Sequence, residues 1–302
     1  MTNFNTAMNE LRSGEIAVLG VPFDRNSSFR RGPALAPVQI REALFSESTN
    51  MWTEKGIDLG TMSGWKVLDD LALSDSDSET AFATIEGAIT ELLKRKARVV
   101  SLGGDHSITY PIMRAYGRKY SELSILQLDA HPDLYNELHH NRYSHACQFA
   151  RIMEENLVQR LVQVGVRSIT GHQREQAKRF NVEIIEMIEK TRIDELTFTG
   201  PVYVSLDMDC LDPAFAPGVS HHEPGGMSTR DVVEIIQNLK GNLVGADIVE
   251  LNPELDPLKI TGMVAGKLLK EILGRMLEEK STHSGFIFSR QENFFNKKKG
   301  AI

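Results

Sequence analysis

The chain has 302 residues, of which 41% are hydrophobic and only two are cysteine, and it carries a net charge of −7. That composition is ordinary for a globular chain with a sizeable core, and its sign excludes a basic field that would draw in nucleic acid or an anionic membrane. Cys147 and Cys210 lack C-x-x-C spacing, which excludes a disulfide scaffold and fits a reducing compartment. The N-terminus shows no basic region followed by an apolar core, and no apolar run nears the roughly 20 residues of a bilayer span. The expectation is a soluble cytoplasmic protein whose partners are neither nucleic acid nor membrane.

In chain order, residues 1–14 read as a polar arm, and 16–22 as a first strand closed by Pro22. The loop that follows holds Asn26-Ser27-Ser28 and Arg30-Arg31-Gly32-Pro33, whose turn chemistry accounts for its Gly and Pro. A short helix is expected over 39–45, then a mixed stretch over 50–78 ending in the acidic run Ser74-Asp75-Ser76-Asp77-Ser78, a solvated loop and N-cap. Apolar residues at helical spacing (Phe82, Ile85, Ile89, Leu92) predict a helix over 81–96. Next come a strand at 99–102, a tight turn at 103–107, a helix over 108–120 and a strand at 125–128. A His-rich loop leads to a helix over 146–160, a strand at 161–166, a helix at 173–179 and a short strand at 182–185. The apolar run at 202–204 reads as a buried strand, followed by a helix at 229–239, a strand at 244–250 and a helix at 261–279. The remainder, 284–302 with Lys297-Lys298-Lys299, reads as a loose tail. Alternating strands and helices with no Gly/Ser-rich linker predict one α/β domain over 1–302, three-layered, around a mainly parallel central sheet.

In such sheets function sits at the carboxyl ends of the strands. Three of those ends carry acid and imidazole: His106 after one, Asp129, His131 and Asp133 after the next, Asp207 and Asp209 after the third. A lone D-x-D reads as an ordinary acidic loop, and a lone turn histidine as a hydrogen-bonded one. Together they form four carboxylates and two imidazoles. Asp207 and Asp209, two apart at a strand end, are expected on one strand face, and the spacing of Asp129, His131 and Asp133 suits a converging strand end. Mixed O/N ligation without thiolate points to a divalent ion harder than structural zinc, such as Mn²⁺. Four carboxylates exceed the needs of one ion, so a two-metal site with bridging carboxylates is expected.

These motifs, G-G-D-H-S at 103–107, D-A-H-x-D at 129–133 and S-x-D-x-D-x-x-D-P at 205–213, resemble the ureohydrolase family, which includes arginase and agmatinase. The likeness runs from Gly20-Val21-Pro22 to the last helix and is closest to the plant-type arginase branch. That branch is marked by Ala216-Pro217-Gly218-Val219-Ser220-His221, Glu223-Pro224-Gly225-Gly226 and Tyr143-Ser144-His145-Ala146. The resemblance implies an enzyme with two Mn²⁺ per subunit that releases urea and an amine from a guanidino compound, through a metal-bridging hydroxide. Arginine is the implied substrate; agmatine, or a guanidino acid other than arginine, is the alternative. His106, Asp129, Asp133 and Asp207 are implied ligands of one ion, and His131, Asp129, Asp207 and Asp209 of the other, so that Asp129 and Asp207 bridge. Glu250, in the family's E-x-N-P context, is implied to grip the guanidinium, and His145 to pass a proton to the leaving amine. A homotrimer or homohexamer is implied as well.

The chain departs from animal arginases where they read the α-carboxylate and α-amine of arginine, having Leu134-Tyr135-Asn136-Glu137 and Ser168-Ile169-Thr170 instead. Asn141, with Tyr135 and Asn26, is the candidate for reading the substrate tail. His139, His140 and His222 are expected on the loop surface, and His221 receives no role. Two rivals remain at this stage, a zinc amide deacetylase on a similar scaffold and a silent partner subunit; neither explains a full ligand set.

Overall fold

A computed structural model describes residues 8–73 and 76–283. The ends of the expected arm (1–7) and the tail (284–302), with Ser74 and Asp75, lie outside the described residues.

Eight strands form one sheet: β1 (Ile16–Val21), β2 (Trp65–Val67), β3 (Arg98–Gly103), β4 (Ser124–Leu128), β5 (Arg160–Val166), β6 (Glu183–Glu186), β7 (Pro201–Asp207) and β8 (Asn242–Val249). Their order is β2-β1-β3-β8-β7-β4-β5-β6, and every neighbouring pair is parallel. Parallel pairing forces each connection to cross over, and helices cover both faces. The helices are α1 (Ala36–Leu44), α2 (Ser78–Lys94), α3 (Thr109–Lys119), α4 (Gln148–Glu154), α5 (Gly171–Phe180), α6 (Thr229–Asn238) and α7 (Ile260–His283). None is long and apolar enough to cross a membrane among the described residues.

Strand alternation divides the core. Ile16, Val18, Val100, Leu102, Val204 and Leu206 pack on Ile40 and Leu44 of α1, Val232 and Ile236 of α6, and Leu268, Leu269 and Ile272 of α7. Ala17, Leu19, Val99, Ile125, Leu161 and Tyr203 pack the other way, on Phe82, Ile85 and Ile89 of α2, Ile112 and Met113 of α3, and Phe149 of α4. The three-layer expectation holds. Asp77 caps α2 as expected, accepting from the Thr80 N–H at 2.8 Å.

Three elements differ from the sequence reading. Strand β2 was not expected: it is three half-buried residues inside a polar stretch, too short for periodicity to show. The helix expected over 146–160 spans only Gln148–Glu154, because the chain must turn at Asn156 (φ 52°) to enter β5 at Arg160. Residues Met187–Glu195 form 3₁₀ turns with no buried side chain, which left no apolar pattern to read.

The carboxyl end of β3 turns through Gly104, where the chain passes hard against the β1 loop. The Asp105 N–H donates to the Phe23 carbonyl at 2.9 Å. A Cβ on Gly104 would lie 1.9 Å from that same oxygen. Gly104→Ala should therefore separate the two loops and lower stability by about 1–3 kcal/mol. The urea-unfolding midpoint measures this, and an unchanged midpoint would show that the loops yield without cost.

Candidate metal centre and cleft

The four central strands, β3, β8, β7 and β4, are contiguous, and each ends in a group of the site. After β3, Asp105 caps the short turn His106–Ile108 by accepting from the Ser107 N–H at 3.0 Å, which turns His106 inward. After β4 come Asp129, His131 and Asp133. Asp207 is the last residue of β7, and Glu250 directly follows β8.

The structure brings all six expected ligands together. His106 Nδ1 lies 3.1 Å from Asp129 Oδ2, 3.2 Å from Asp133 Oδ2 and 3.1 Å from Asp207 Oδ2. His131 Nδ1 lies 3.1 Å from Asp209 Oδ2 and 3.6 Å from Asp129 Oδ1. Asp129 thus offers one oxygen to each histidine, and two groups of donors converge: His106, Asp129 and Asp133, and Asp129, His131 and Asp209.

Convergence arises differently from the expectation. Asp209 does not share a strand face with Asp207; it sits in the 3₁₀ turn Met208–Cys210, which Asp207 caps by accepting from the Asp209 N–H at 2.8 Å. Asp129, His131 and Asp133 likewise lie beyond the end of β4, in a loop that closes with Asp133 at φ 48°. Turns aim these carboxylates; strand alternation does not.

A metal fits this donor set. Buried His106 Nδ1 has no hydrogen-bond partner although three carboxylate oxygens surround it. One N–H can satisfy only one of them, whereas donors about 2.1 Å from a shared ion stand about 3 Å apart. Burial disfavours a charge on His106, yet Asp129, Asp133 and Asp207 pull its pKa well above the ordinary histidine value. Burial, then the negative charges of Asp209 and Asp129, push Asp207 up. Burial also pushes Asp209 up, against the pull of His131. The cluster demands positive charge.

A further shell orients the donors. His106 Nε2 meets Ser205 Oγ at 2.9 Å, and that hydroxyl donates to Asp247 Oδ1 at 2.8 Å. Asp247, fully buried mid-strand, also accepts from Thr109 Oγ1 and Tyr203 OH. Gln127 Nε2 donates to Asp129 Oδ2 at 2.6 Å, and Gln148 Nε2 to Asp133 Oδ2 at 2.7 Å. Sequence reasoning missed these residues. For Asp247 and Gln127 the available signal was a carboxylate or carboxamide inside an otherwise apolar strand, which burial tolerates only with partners.

Above the cluster opens a cleft of about 170 Å³ whose lining includes His131, Asp207, Asp209, Glu250, His145, His221, Ser28 and Tyr135. A larger cavity of about 540 Å³, lined by Leu126, Ile193, Phe198 and Ile235 among others, lies apart from the cluster. Glu250 holds φ 65°, an unusual conformation for a non-glycine residue. Its Oε1 accepts from the His106 N–H at 2.8 Å and pairs with His145 Nδ1 at 2.7 Å. Burial pushes Glu250 up, but His145 outweighs it and holds the carboxyl below its usual value. For His145, burial opposes protonation, and the charge of Glu250 overrides this to raise its pKa to about 9. The Ser28 N–H, donating to His145 Nε2 at 3.0 Å, acts the opposite way, since it requires a lone pair there.

Asn141 is not brought to the cleft. Its carboxamide accepts from the Tyr143 N–H at 2.8 Å and donates to Asn26 Oδ1 at 3.2 Å. Asn26 is itself engaged, with its N–H on Asp105 Oδ2 and its Nδ2 on Ser107. Of the three tail-reading candidates only Tyr135 lines the cleft, joined there by Ser168, Thr170 and Gln173. His139, His140 and His222 are exposed, as expected.

Fold and site together define a parallel α/β protein built around an acid–imidazole metal centre. The chain belongs to the arginase family, whose model matches residues 14–274. It is 45% identical over 274 residues to arginase 1, mitochondrial, of Oryza sativa subsp. indica, covering 86% of this chain and 81% of that one. The solved arginase from Medicago truncatula superposes with a TM-score of 0.84 at 42% identity, over 90% of this chain and 91% of that one. An agmatinase from Neisseria meningitidis is more distant, at 33% identity over 85% of each chain.

These findings correct the expectation of a cytoplasmic location: the arginases of Oryza sativa, Arabidopsis thaliana and Medicago truncatula that the chain resembles are named mitochondrial. Composition and the lack of a secretory pattern speak to solubility and secretion only, and so could not distinguish the two.

Divalent metal should raise the melting temperature, because binding to the folded state alone stabilises it. The rise should shrink between pH 8 and pH 6, since protons compete for the same donors. Thermal unfolding with and without Mn²⁺ at both pH values measures this, and a pH-independent or absent rise would contradict a metal centre here.

Proposed function

We propose that the chain is an arginase, hydrolysing L-arginine to L-ornithine and urea with two Mn²⁺ per subunit. The observation that carries this reading is Glu250: a buried carboxylate in the cleft, beside the metal cluster yet outside its two donor groups. A carboxylate so placed suits a guanidinium, which offers paired N–H donors to it. His106, Asp129, Asp133 and Asp207 would hold one ion, and His131, Asp129, Asp207 and Asp209 the other. Bound metal would supply a nucleophilic water at neutral pH by lowering its pKa.

The residues of the chain do the rest. Glu250 draws the guanidinium into the cleft and fixes its plane, so that its carbon faces the cluster. His145 passes a proton to the leaving amine. The Glu250 carboxylate favours the imidazolium form of His145, while the Ser28 N–H favours the neutral ring with its proton on Nδ1. Opposed influences of this kind suit a group that gains and loses a proton in each turnover. Ser28 also fixes the ring through its hydroxyl, 2.8 Å from Nε2.

Agmatine is the second substrate to consider, because no Lys or Arg is among the cleft-lining residues to meet the α-carboxylate that distinguishes arginine. One catalytic domain over 1–302 and assembly as a homotrimer or homohexamer belong to the same proposal; light scattering reads the latter.

Urea release by the Mn²⁺-loaded protein, with arginine, agmatine, guanidinobutyrate and guanidine at matched concentration, tests the reading. Arginine is expected to lead. A lead for agmatine would replace arginase by agmatinase, and no urea from any of them would favour a silent subunit. Asp129→Asn should abolish turnover with the fold retained, as circular dichroism would report; full activity in that variant would sink the two-metal reading. Glu250→Gln should lower kcat/KM by about 10²–10³-fold, the scale of a lost charge-assisted contact to the reacting group.

A further inference from the structure

One ring in the cleft has no task in that mechanism. His221 lies with its ring centroid 5.3 Å from His145, 5.9 Å from His131 and 5.8 Å from Phe29. These are aromatic contact distances. Among the described residues, neither nitrogen of His221 has a hydrogen-bond partner, so packing alone places the ring. Phe29 is 66% exposed, an unusual position for a large apolar side chain, with the Arg30 guanidinium 5.2 Å from its ring centre. His221 and Glu250 both line the cleft, and Phe29 packs against the His221 ring.

What holds these two rings is Asn252, two residues beyond Glu250. The Asn252 N–H donates to the Gly218 carbonyl at 2.8 Å, and its Nδ2 donates to Ser220 Oγ at 2.9 Å and to the Arg31 carbonyl at 3.1 Å. The Ser220 hydroxyl donates to the Arg30 carbonyl. Val219 pairs with Leu251 in an isolated antiparallel bridge. A single side chain therefore ties the loop bearing Phe29 to the loop bearing His221, and both to the backbone that presents Glu250. The approach is close enough to need glycine: at Gly32, with φ 134°, a Cβ would meet Asn252 Oδ1 at 2.0 Å.

We propose that His221, backed by Phe29, is the aromatic wall on which the planar guanidinium of the substrate stacks, and that Asn252 is the positioning residue that holds this wall opposite Glu250. The inference rests on the guanidino-hydrolase reading. Glu250 takes the edge of the cation and His221 its face. A planar cation satisfies both at once, offering paired N–H donors at its edge and a π face for stacking. Urea is planar but neutral; it keeps the face and loses the attraction to Glu250, which favours its departure.

The test uses His221→Ala, His221→Phe and Asn252→Ala in the Mn²⁺-loaded full chain. Binding of arginine and agmatine is read by calorimetry, and KM and kcat by urea release. His221→Ala should raise Kd and KM about tenfold with kcat changed about threefold or less, the size of a lost cation–π contact in a partly desolvated site. His221→Phe should restore Kd to within about twofold, since it keeps a ring and discards the nitrogens. Asn252→Ala should weaken binding as well, and the double variant should bind no worse than His221→Ala alone, as coupled residues do. An unchanged Kd in His221→Ala overturns the wall. So does an equal collapse of kcat in the Ala and Phe variants, which would mark His221 as a proton carrier. Wild-type protein that neither binds nor hydrolyses either compound overturns the underlying reading and this inference together, whereas an active wild type with an indifferent His221→Ala overturns the inference alone.

Discussion

Everything at the carboxyl edge of this sheet answers to one constraint, the burial of four carboxylates within a few ångströms of one another. Two like charges about 4 Å apart repel by about 4 kcal/mol at an effective dielectric of 20. Several such pairs would together rival the whole stability of a domain, about 5–15 kcal/mol. Among the described residues no Lys or Arg makes an ion pair with Asp129, Asp133, Asp207 or Asp209. The two imidazoles are the positive charge the chain itself can supply, and the unpartnered Nδ1 of His106 shows how poorly they satisfy the oxygens. A site built this way suits divalent cations, which would offset the repulsion among its carboxylates.

The fold meets the constraint by placing the problem where backbone geometry is most adjustable. Four contiguous parallel strands end side by side, which brings remote parts of the chain within reach. Two of them, β3 and β7, hand their ligands to a tight turn capped by a carboxylate, Asp105 or Asp207. The same carboxylates that attract metal also satisfy turn N–H groups. Beneath them, Ser205 and Asp247 steady His106, while Gln127 and Gln148 steady the aspartates. Such contacts cost little in a sheet already buried on both faces, and they hold the donors converged against their mutual repulsion.

Much of this was legible from the residues because period and composition act locally. The alternation of strands and helices follows from apolar runs and helical spacing, and the ligand set follows from acid and imidazole at strand ends. What was not legible depends on contacts distant in sequence. The aim of Asp209 comes from a 3₁₀ turn, so that it reaches the cluster by a route the strand-face argument did not foresee. Asn141 looked like a tail reader from its loop, yet Asn26, more than a hundred residues earlier, occupies its carboxamide. The helix after His145, by contrast, is shorter than expected because Asn156, which takes the left-handed conformation (φ 52°), ends it; asparagine there is a local stop signal that the sequence reading passed over. His221 and Asn252 gain meaning only once two loops from opposite ends of the chain meet.

That meeting bears on selectivity. The Glu250 side of the cleft has a fixed carboxylate, a histidine held at both nitrogens and a packed ring, all tied to the strand end of β8. The tail end is furnished differently, with Tyr135, Leu138, Ser168, Thr170 and Gln173 and no fixed counter-ion. Hydroxyls and carboxamides can read the carboxylate and ammonium of an α-amino acid through hydrogen bonds, without the ion pair that a fixed counter-ion would add. Under the proposed function, Glu250 reads the feature every guanidino compound shares, and discrimination among tails rests on the uncharged groups around Tyr135 and Ser168. A chain so built commits firmly to its chemistry and lightly to its substrate, so changes in the few residues around Tyr135 and Ser168 could redirect it without disturbing the metal centre.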